Sequence, residues 1–309
     1  MNSIEVKKLT KRFGKFTAVD DINFTVKQGE VLGFLGANGA GKSTTIKMLC
    51  ALLEPSSGDA LVGGYSITKQ PEMVKKSIGY MSQRFSLYND LTVEENINFF
   101  GGVYGLDGAE LIDRKNWVLK IANLQGQEKL LTASLPGGIK QRLALGTAVI
   151  HRPKIVFLDE PTSGVDPISR RSFWDLINDL SAQGTTVLVT THYLEEAEYC
   201  ENIILINSGK IIAEGNSKKL KSEYLKSDIY EIVCSDLINA FEILSKAEFV
   251  DEISIFGNYL HIMVNNKFTG VEQVKNTLQM NSQIQLTRIN KIQPSLEDVF
   301  IHLLEESRV

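Results

Sequence analysis

From Ser3 to Lys27 short apolar segments alternate with polar turns, the rhythm of an antiparallel β region. Val31-Leu32-Gly33-Phe34-Leu35 replaces that alternation with a continuous apolar run, and Thr44 to Leu49 after it is compatible with a helix. Gly58 to Tyr65 reads as glycine-rich turns, ahead of a short strand at Ile78 to Gln83 that ends on a polar amide. Between Arg84 and Gln127 the pattern becomes helical and carries aromatics, among them Phe85, Tyr88, Phe99, Phe100 and Tyr104. An apolar helix follows at Leu143 to Ile150. Ile155 to Leu158 is a second continuous apolar run, typical of a buried parallel strand, and Thr185 to Thr190 predicts the next strand.

After Gly215 the composition shifts at Ser217-Lys218-Lys219-Leu220-Lys221-Ser222, a polar helix or linker. Beyond it the pattern predicts a strand at Ile229 to Cys234 and a helix at Leu237 to Lys246. A hairpin across Gly257-Asn258, a helix at Val271 to Gln279 and a strand at Ile284 to Asn290 complete the order β-α-β-β-α-β, which is the ferredoxin-like arrangement. Ser295-Leu296-Glu297-Asp298 then offers a capping box for a last helix, with Leu296, Val299, Phe300, Leu303 and Leu304 on one face. Residues 1–216 therefore form the main domain, 217–226 a linker and 227–309 a smaller α+β domain.

Formal net charge is −4 over 309 residues, which announces neither nucleic acid nor an acidic membrane surface as a partner. The small domain is the acidic part, with 6 basic and 12 acidic residues in 227–309. It lacks the paired stacking aromatics with basic neighbours that an RNA-binding sheet needs. Cys50, Cys200 and Cys234 show no metal-ligand spacing and read as ordinary thiols in a reducing compartment. The beginning of the chain lacks the apolar core of a signal peptide, and no run approaches the ~18 apolar residues of a membrane span. Any membrane association is expected to be peripheral.

Chemistry concentrates where the apolar runs end. Gly36-Ala37-Asn38-Gly39-Ala40-Gly41-Lys42-Ser43 lies between a predicted strand and helix, the order required of a polyphosphate-cradling loop. Its glycines let consecutive N–H groups point inward, and the helix adds the positive end of its dipole. Lys42 would reach the β- and γ-phosphates, Ser43 would ligate Mg²⁺, and Thr44 would support the α-phosphate side. Asp159 and Glu160 close the Ile155–Leu158 run, at the strand end that faces the ligand crevice of an α/β sheet. Asp159 would hold the metal, Glu160 would orient and polarise the attacking water, and Gln83 would touch the metal or its water. His192, a third polar group at the same sheet edge, would contact the γ-phosphate. Phe13 either stacks on an adenine ring or fills a turn. Some aromatics of the helical insertion could line an apolar groove for a partner's helix, linking nucleotide state to that partner.

With these residues in view, the chain resembles the ATP-binding subunits of ABC transporters over about residues 3 to 216. GANGAGKS matches the Walker A loop, Gln83 the Q-loop glutamine and FLDEP at Phe157 to Pro161 the Walker B segment with its catalytic glutamate. Ser163 to Asp166 reads SGVD and matches the D-loop, with Ser163 and Asp166 at its ends, while His192 matches the switch histidine and Phe13 the adenine-stacking aromatic. The implied fold is α/β, a P-loop NTPase ABC cassette with a RecA-like core, an antiparallel β region and a helical insertion at about 84–150. The ending PSLEDVF resembles drug-resistance-type bacterial exporter ATPases, whose permeases are separate polypeptides.

The resemblance implies ATP hydrolysis with Mg²⁺ on the cytoplasmic side of the cell membrane. It also implies integral-membrane permease partners, and a homodimer or a heterodimer with a second ABC ATPase. Export of drugs or other small hydrophobic compounds follows from it, with the small domain as a dimerisation or regulatory module. The alternative is a soluble ATPase of the same family acting on DNA or ribosomes, but such proteins usually resemble tandem cassettes or carry long coiled-coil or basic insertions. One segment departs from the pattern. The family signature LSGGQ is here Leu135-Pro136-Gly137-Gly138-Ile139, so the serine hydroxyl that would meet the opposite subunit's γ-phosphate is missing.

Overall fold

The computed structural model describes residues 1–83, 87–281 and 284–306. Phe85, among the predicted insertion aromatics, lies outside them, as do the first residues of the insertion predicted at 84–150. The chain divides into two compact units, Met1–Ser217 and Lys218–Val309.

The first unit is built on two sheets. In the antiparallel sheet the strands run in the order Phe16–Lys27, Asn2–Phe13, Ser57–Val62 and Tyr65–Ser66. The region expected to consist of glycine-rich turns at Gly58 to Tyr65 is thus largely strand. Ile4 pairs with Val62 and Val6 with Ala60, and Ala60 and Val62 are buried while Leu61 faces out. The alternation is present in the sequence, but glycines at 58, 63 and 64 obscure it. Gly58 takes φ +79°, and a side chain there would collide with the carbonyl of Lys8. Glycine is the residue that lets this strand start so close to its neighbour.

The second sheet has six strands in the order Lys210–Gly215, Asn202–Asn207, Val31–Leu35, Thr186–Thr191, Ile155–Asp159 and Ile78–Met81. All neighbours are parallel except the first pair. Its central strands are buried along their whole length, as apolar runs without alternation require. One core joins the two sheets, with Ile4, Leu9, Val19 and Phe24 from one and Phe34, Phe157, Leu188 and Ile204 from the other. The helices Val93–Val103, Gly108–Ala122 and Gly137–Ala148 form a separate apolar cluster around Ile97, Leu119 and Leu143. Thr92 and Glu95 cap the first of them reciprocally. The helix expected at Leu143 to Ile150 starts six residues earlier, at Gly137, directly after Pro136.

The second unit has an antiparallel sheet in the order Val250–Phe256, Tyr259–Val264, Asp228–Cys234 and Leu286–Ile292. With helices Leu237–Leu244 and Val271–Asn281 between the strands, this is the ferredoxin-like order read from the sequence. Leu260, Ile262 and Val264 join the core with Ala240, Leu244, Val274 and Leu278. His261 and Met263 alternate with them and so belong to the other face. The last helix, Leu296–Glu306, is tied to His261, whose Nδ1 lies 2.7 Å from Asp298 Oδ1. The capping box is present: Ser295 N–H donates to Asp298 Oδ2 at 2.7 Å, and Asp298 N–H donates to Ser295 Oγ at 3.1 Å.

Candidate functional site

Four parallel strands deliver their carboxyl ends to one edge, and each is followed by a polar group. Val31–Leu35 leads into the glycine loop, Ile78–Met81 into Gln83, Ile155–Asp159 into Glu160, and Thr186–Thr191 into His192. Parallel pairing places these groups side by side although they are up to 156 residues apart in sequence. Gly36 to Gly41 curl into the helix Lys42–Leu49, with Gly41 at its N-cap in a left-handed conformation, φ 110°. A side chain on Gly41 would come within 2.5 Å of the Ala18 carbonyl. The loop therefore lies tight against the strand Phe16–Lys27, in the hairpin that carries Phe13. Phe13 is half exposed and so open to a stacking partner, and Lys11 Nζ lies over its ring, 5.3 Å from the centroid.

Lys42 is buried and folds back on its own loop, donating to the carbonyls of Gly36 at 2.8 Å and Ala37 at 3.2 Å. Asn38 and Gly39 form the exposed outer turn of that loop, and Ala40 is buried beneath it. Burial lowers the Lys42 ammonium from its ordinary pKa, partly offset by the negative charge of Glu160, whose Oε1 is 3.5 Å away. Ser43 Oγ donates to Asp159 Oδ1 at 3.0 Å, and Thr190 Oγ1 donates to the same oxygen at 2.7 Å. Thr44, at the third position of the helix, is partly exposed. Among the described residues no group of three or more His, Cys, Asp or Glu could hold a metal. The donor set instead pairs one hydroxyl with one carboxylate, hard oxygen ligands that suit Mg²⁺ when substrate phosphates and water complete the shell.

Glu160 is the meeting point of the site. Gln83 Nε2 donates to its Oε2 at 2.8 Å, and His192 Nδ1 lies 3.3 Å from the same oxygen. The histidine contact is one of proximity, since Nδ1 completes no hydrogen bond. The backbone of Glu160 is left-handed, φ 47°, held by its N–H donating to Thr190 Oγ1 at 3.0 Å. A non-glycine residue in that region costs about 1–3 kcal/mol and persists only where its surroundings over-determine it.

The signature segment lies at the start of the helix Gly137–Ala148. Leu135 is buried, Pro136 and Gly137 are exposed, and Ile139 packs against the helical cluster. A Cβ on Gly138 would fall 2.6 Å from the Ser169 side chain, on the helix Pro167–Ala182 that Asp166 caps through Ser169 N–H at 2.9 Å. Gly138 thus fits this helix against the one leaving the segment that starts at Ser163, and Gly137 leaves an open face for an approaching group. The Ser163 N–H donates back to the Glu160 carbonyl at 3.2 Å.

Two elements were missed in the sequence reading. Thr190 supports both Asp159 and Glu160, a role hidden inside an apolar strand pattern. Arg170 links the regions around Asp166 and His192: its Nη1 is 3.0 Å from Glu195, its Nε 3.4 Å from buried Glu196, and its guanidinium stacks on Tyr193 at 4.1 Å. Thr162 Oγ1 donates to Glu196 at 2.6 Å, and Tyr193 lies 4.1 Å from the His192 ring. Only a carboxylate sequence, Glu195-Glu196, hinted at this network.

Residues 19–163 match the family model described as ABC transporter, and residues 215–304 match that of the C-terminal domain of DrrA1-3-like ATP-binding proteins. The probable multidrug ABC transporter ATP-binding protein YbhF of Escherichia coli (strain K12) is 51% identical over 220 residues, 71% of this chain but only 38% of that protein. The linearmycin resistance ATP-binding protein LnrL of Bacillus subtilis (strain 168) is 34% identical over 305 residues, covering 97% of each chain. Among solved structures, a dimeric post-hydrolysis ATP-binding cassette bound to ADP and Pi superposes with TM-score 0.63 at 27% identity, over 69% of this chain and 98% of that one.

Proposed function

The chain belongs to the family of ABC transporter ATP-binding proteins, and from that premise we propose that it is the ATP-hydrolysing subunit of an exporter of drugs or other small hydrophobic compounds. Two cassettes close on ATP, and closure pulls on a separate integral-membrane permease, with the chain bound peripherally on the cytoplasmic side. The observation that carries this reading is the convergence of Lys42, Gln83 and His192 on Glu160, beside Ser43 and Asp159.

In hydrolysis the loop N–H groups and Lys42 hold the phosphates, so Lys42 leaves the Gly36 and Ala37 carbonyls for the stronger anionic acceptor. Phe13 stacks on the adenine. Ser43 and Asp159 would hold Mg²⁺, which supplies charge neutralisation at the phosphates when bound. Glu160, released from Lys42, accepts the proton of the attacking water, while Gln83 and His192 fix its carboxylate in place. Ser163 and Asp166 position the facing subunit, and Leu135 to Ile139 present glycine N–H groups and a helix N-terminus to the ATP held across the dimer. Phe99 packs edge to face on Tyr88 and Phe100 at 5.0 and 5.3 Å, with Tyr88 and Phe99 part exposed, and the three rings form the apolar surface offered to the permease.

Proteins similar to this chain are named for multidrug transport, linearmycin resistance and Nod factor export, which supports export over work on DNA or ribosomes. The test is affinity purification of the chain from detergent-solubilised membranes, with every copurifying chain identified. A permease subunit is expected, with a second ATPase only if the complex is heterodimeric. Ribosomal proteins or DNA in its place would overturn the transport reading.

A further inference from the structure

The far end of the same sheet carries a feature that ATP hydrolysis does not use. A cavity of about 280 Å³ opens between the helical insertion and the sheet core, lined among others by Arg114, Trp117, Arg152, Lys154, Gln183 and Thr185. Lys154 and Thr185 immediately precede the strands Ile155–Asp159 and Thr186–Thr191, the first of which ends in Asp159 while the second leads into His192. At ~3.3 Å per residue the cavity lies roughly 17–20 Å from the nucleotide site.

Three cations converge on this space. Arg114 is buried, its Nε donating to the Ile150 carbonyl at 2.7 Å and its Nη2 to the Val149 carbonyl at 3.2 Å. Its guanidinium lies 4.1 Å from the Trp117 ring, and none of its N–H groups meets a carboxylate among the described residues. Burial first, and then the positive charge of Arg152, weaken its hold on its proton. A guanidinium stays charged even so, and a desolvated cation beside a second cation is stabilised by an anion. Arg152 pairs with Asp113 at 3.2 Å, but both side chains are more than half exposed, so that pair contributes little and yields readily to a stronger acceptor. Lys154 has no ion pair among the described residues.

A purely structural account of Arg114 explains its two carbonyl contacts, which close the end of the helix Gly137–Ala148. It does not explain why Arg152 and Lys154 face the same cavity, where the carboxylates of Asp113 and Glu110 only partly offset the burial of Arg114. We propose that this cavity is a binding site for a small soluble anion carrying phosphate groups, held by Arg114, Arg152 and Lys154 and distinct from the nucleotide cradle. The walls come from both the insertion and the core, so the anion bridges them. Val149 lines the cavity and closes the helix whose other end is Pro136. Occupancy therefore restrains the helix that presents the signature segment.

Trp117 makes the site directly readable, because Trp174 is the only other tryptophan. Fluorescence of the full chain is titrated with pyrophosphate, and the Trp117→Phe variant supplies the background to subtract. The expected result is a saturable change assigned to Trp117, present also in Lys42→Ala, in which the nucleotide cradle is disabled. Arg152→Gln and Lys154→Gln, both at exposed positions, should each weaken it about tenfold or more, and raising ionic strength toward 1 M should weaken it further. A parallel titration with phosphatidylglycerol vesicles separates the sources: a response to vesicles alone identifies a lipid headgroup and overturns the soluble ligand. Absence of a saturable response, a response indifferent to both cation substitutions, or one lost with Lys42→Ala overturns the site.

Discussion

Replacing Pro136 with serine probes the departure in the signature segment while leaving its frame in place. Pro136 occupies the N-cap of the helix Gly137–Ala148 at φ −57° and ψ 150°, and no side chain caps that helix. An N-cap serine adopts the same extended region, and the position is exposed, so Pro136→Ser requires no rearrangement. A serine cap adds about 1 kcal/mol of stability, while the freer unfolded chain removes about 0.4–1 kcal/mol. These effects offset, and the melting temperature should shift by no more than a few degrees. Turnover should respond differently. A hydroxyl donating to the γ-phosphate across the dimer is a hydrogen bond to a charged group, worth about 1.5–3 kcal/mol, or roughly 10- to 150-fold in the step that uses it. The assay is steady-state ATP hydrolysis by the purified chain and the variant, with thermal unfolding of each in parallel. Slow turnover that rises at least about tenfold at unchanged stability supports the argument. A folded variant that hydrolyses ATP no faster than the parent refutes it, and fast turnover by the parent alone removes the reason to invoke a second ATPase with an intact signature.

Glu160→Gln keeps the shape of the side chain that Gln83 and His192 contact but removes the base, so hydrolysis should fall by about 10²-fold or more while ATP-bound dimers accumulate in size-exclusion chromatography. Wild-type hydrolysis in this variant would exclude Glu160 as the base. Lys42→Ala should weaken nucleotide binding itself, read by equilibrium titration with a fluorescent ATP analogue, because the lost charge acts on ground-state phosphates. Equal affinity in parent and variant would show that Lys42 stays on the Gly36 and Ala37 carbonyls. In the second unit, burial opposes ionisation of Asp298, but hydrogen bonds from His261 and Ser295 outweigh it and hold the carboxyl below the usual aspartate range. Its contribution is therefore complete above the unfolded value of about 3.9 and is lost as pH falls through the lower folded value. Asp298→Asn should flatten that part of the acid-unfolding profile followed by circular dichroism, and a profile identical to the parent's would show that Asp298 does not contribute.

The phosphate-cradling loop was legible because its chemistry is local: strand, glycines, lysine and helix are consecutive, and the backbone N–H groups that serve it need no distant partner. The ferredoxin-like order was legible for a related reason, since hydrophobic period and turn residues record each element along the chain itself. Strand edges were less so. Ser57–Val62 became a strand because Asn2–Phe13 offered it a partner, and pairing overrode a glycine-rich composition.

What tertiary structure alone decided is which groups meet. The sequence supplied Lys42, Gln83, Glu160 and His192 as separate candidates, and it could not say that Glu160 is the one the other three contact. Parallel strand register brings them within 3.5 Å, and register depends on the packing of whole sheets. Arg170, the Asp298–His261 tie and the cation-lined cavity are of the same kind. Each joins residues from separate elements, and a charged side chain reads as ordinary surface until the fold removes its water and gives it neighbours.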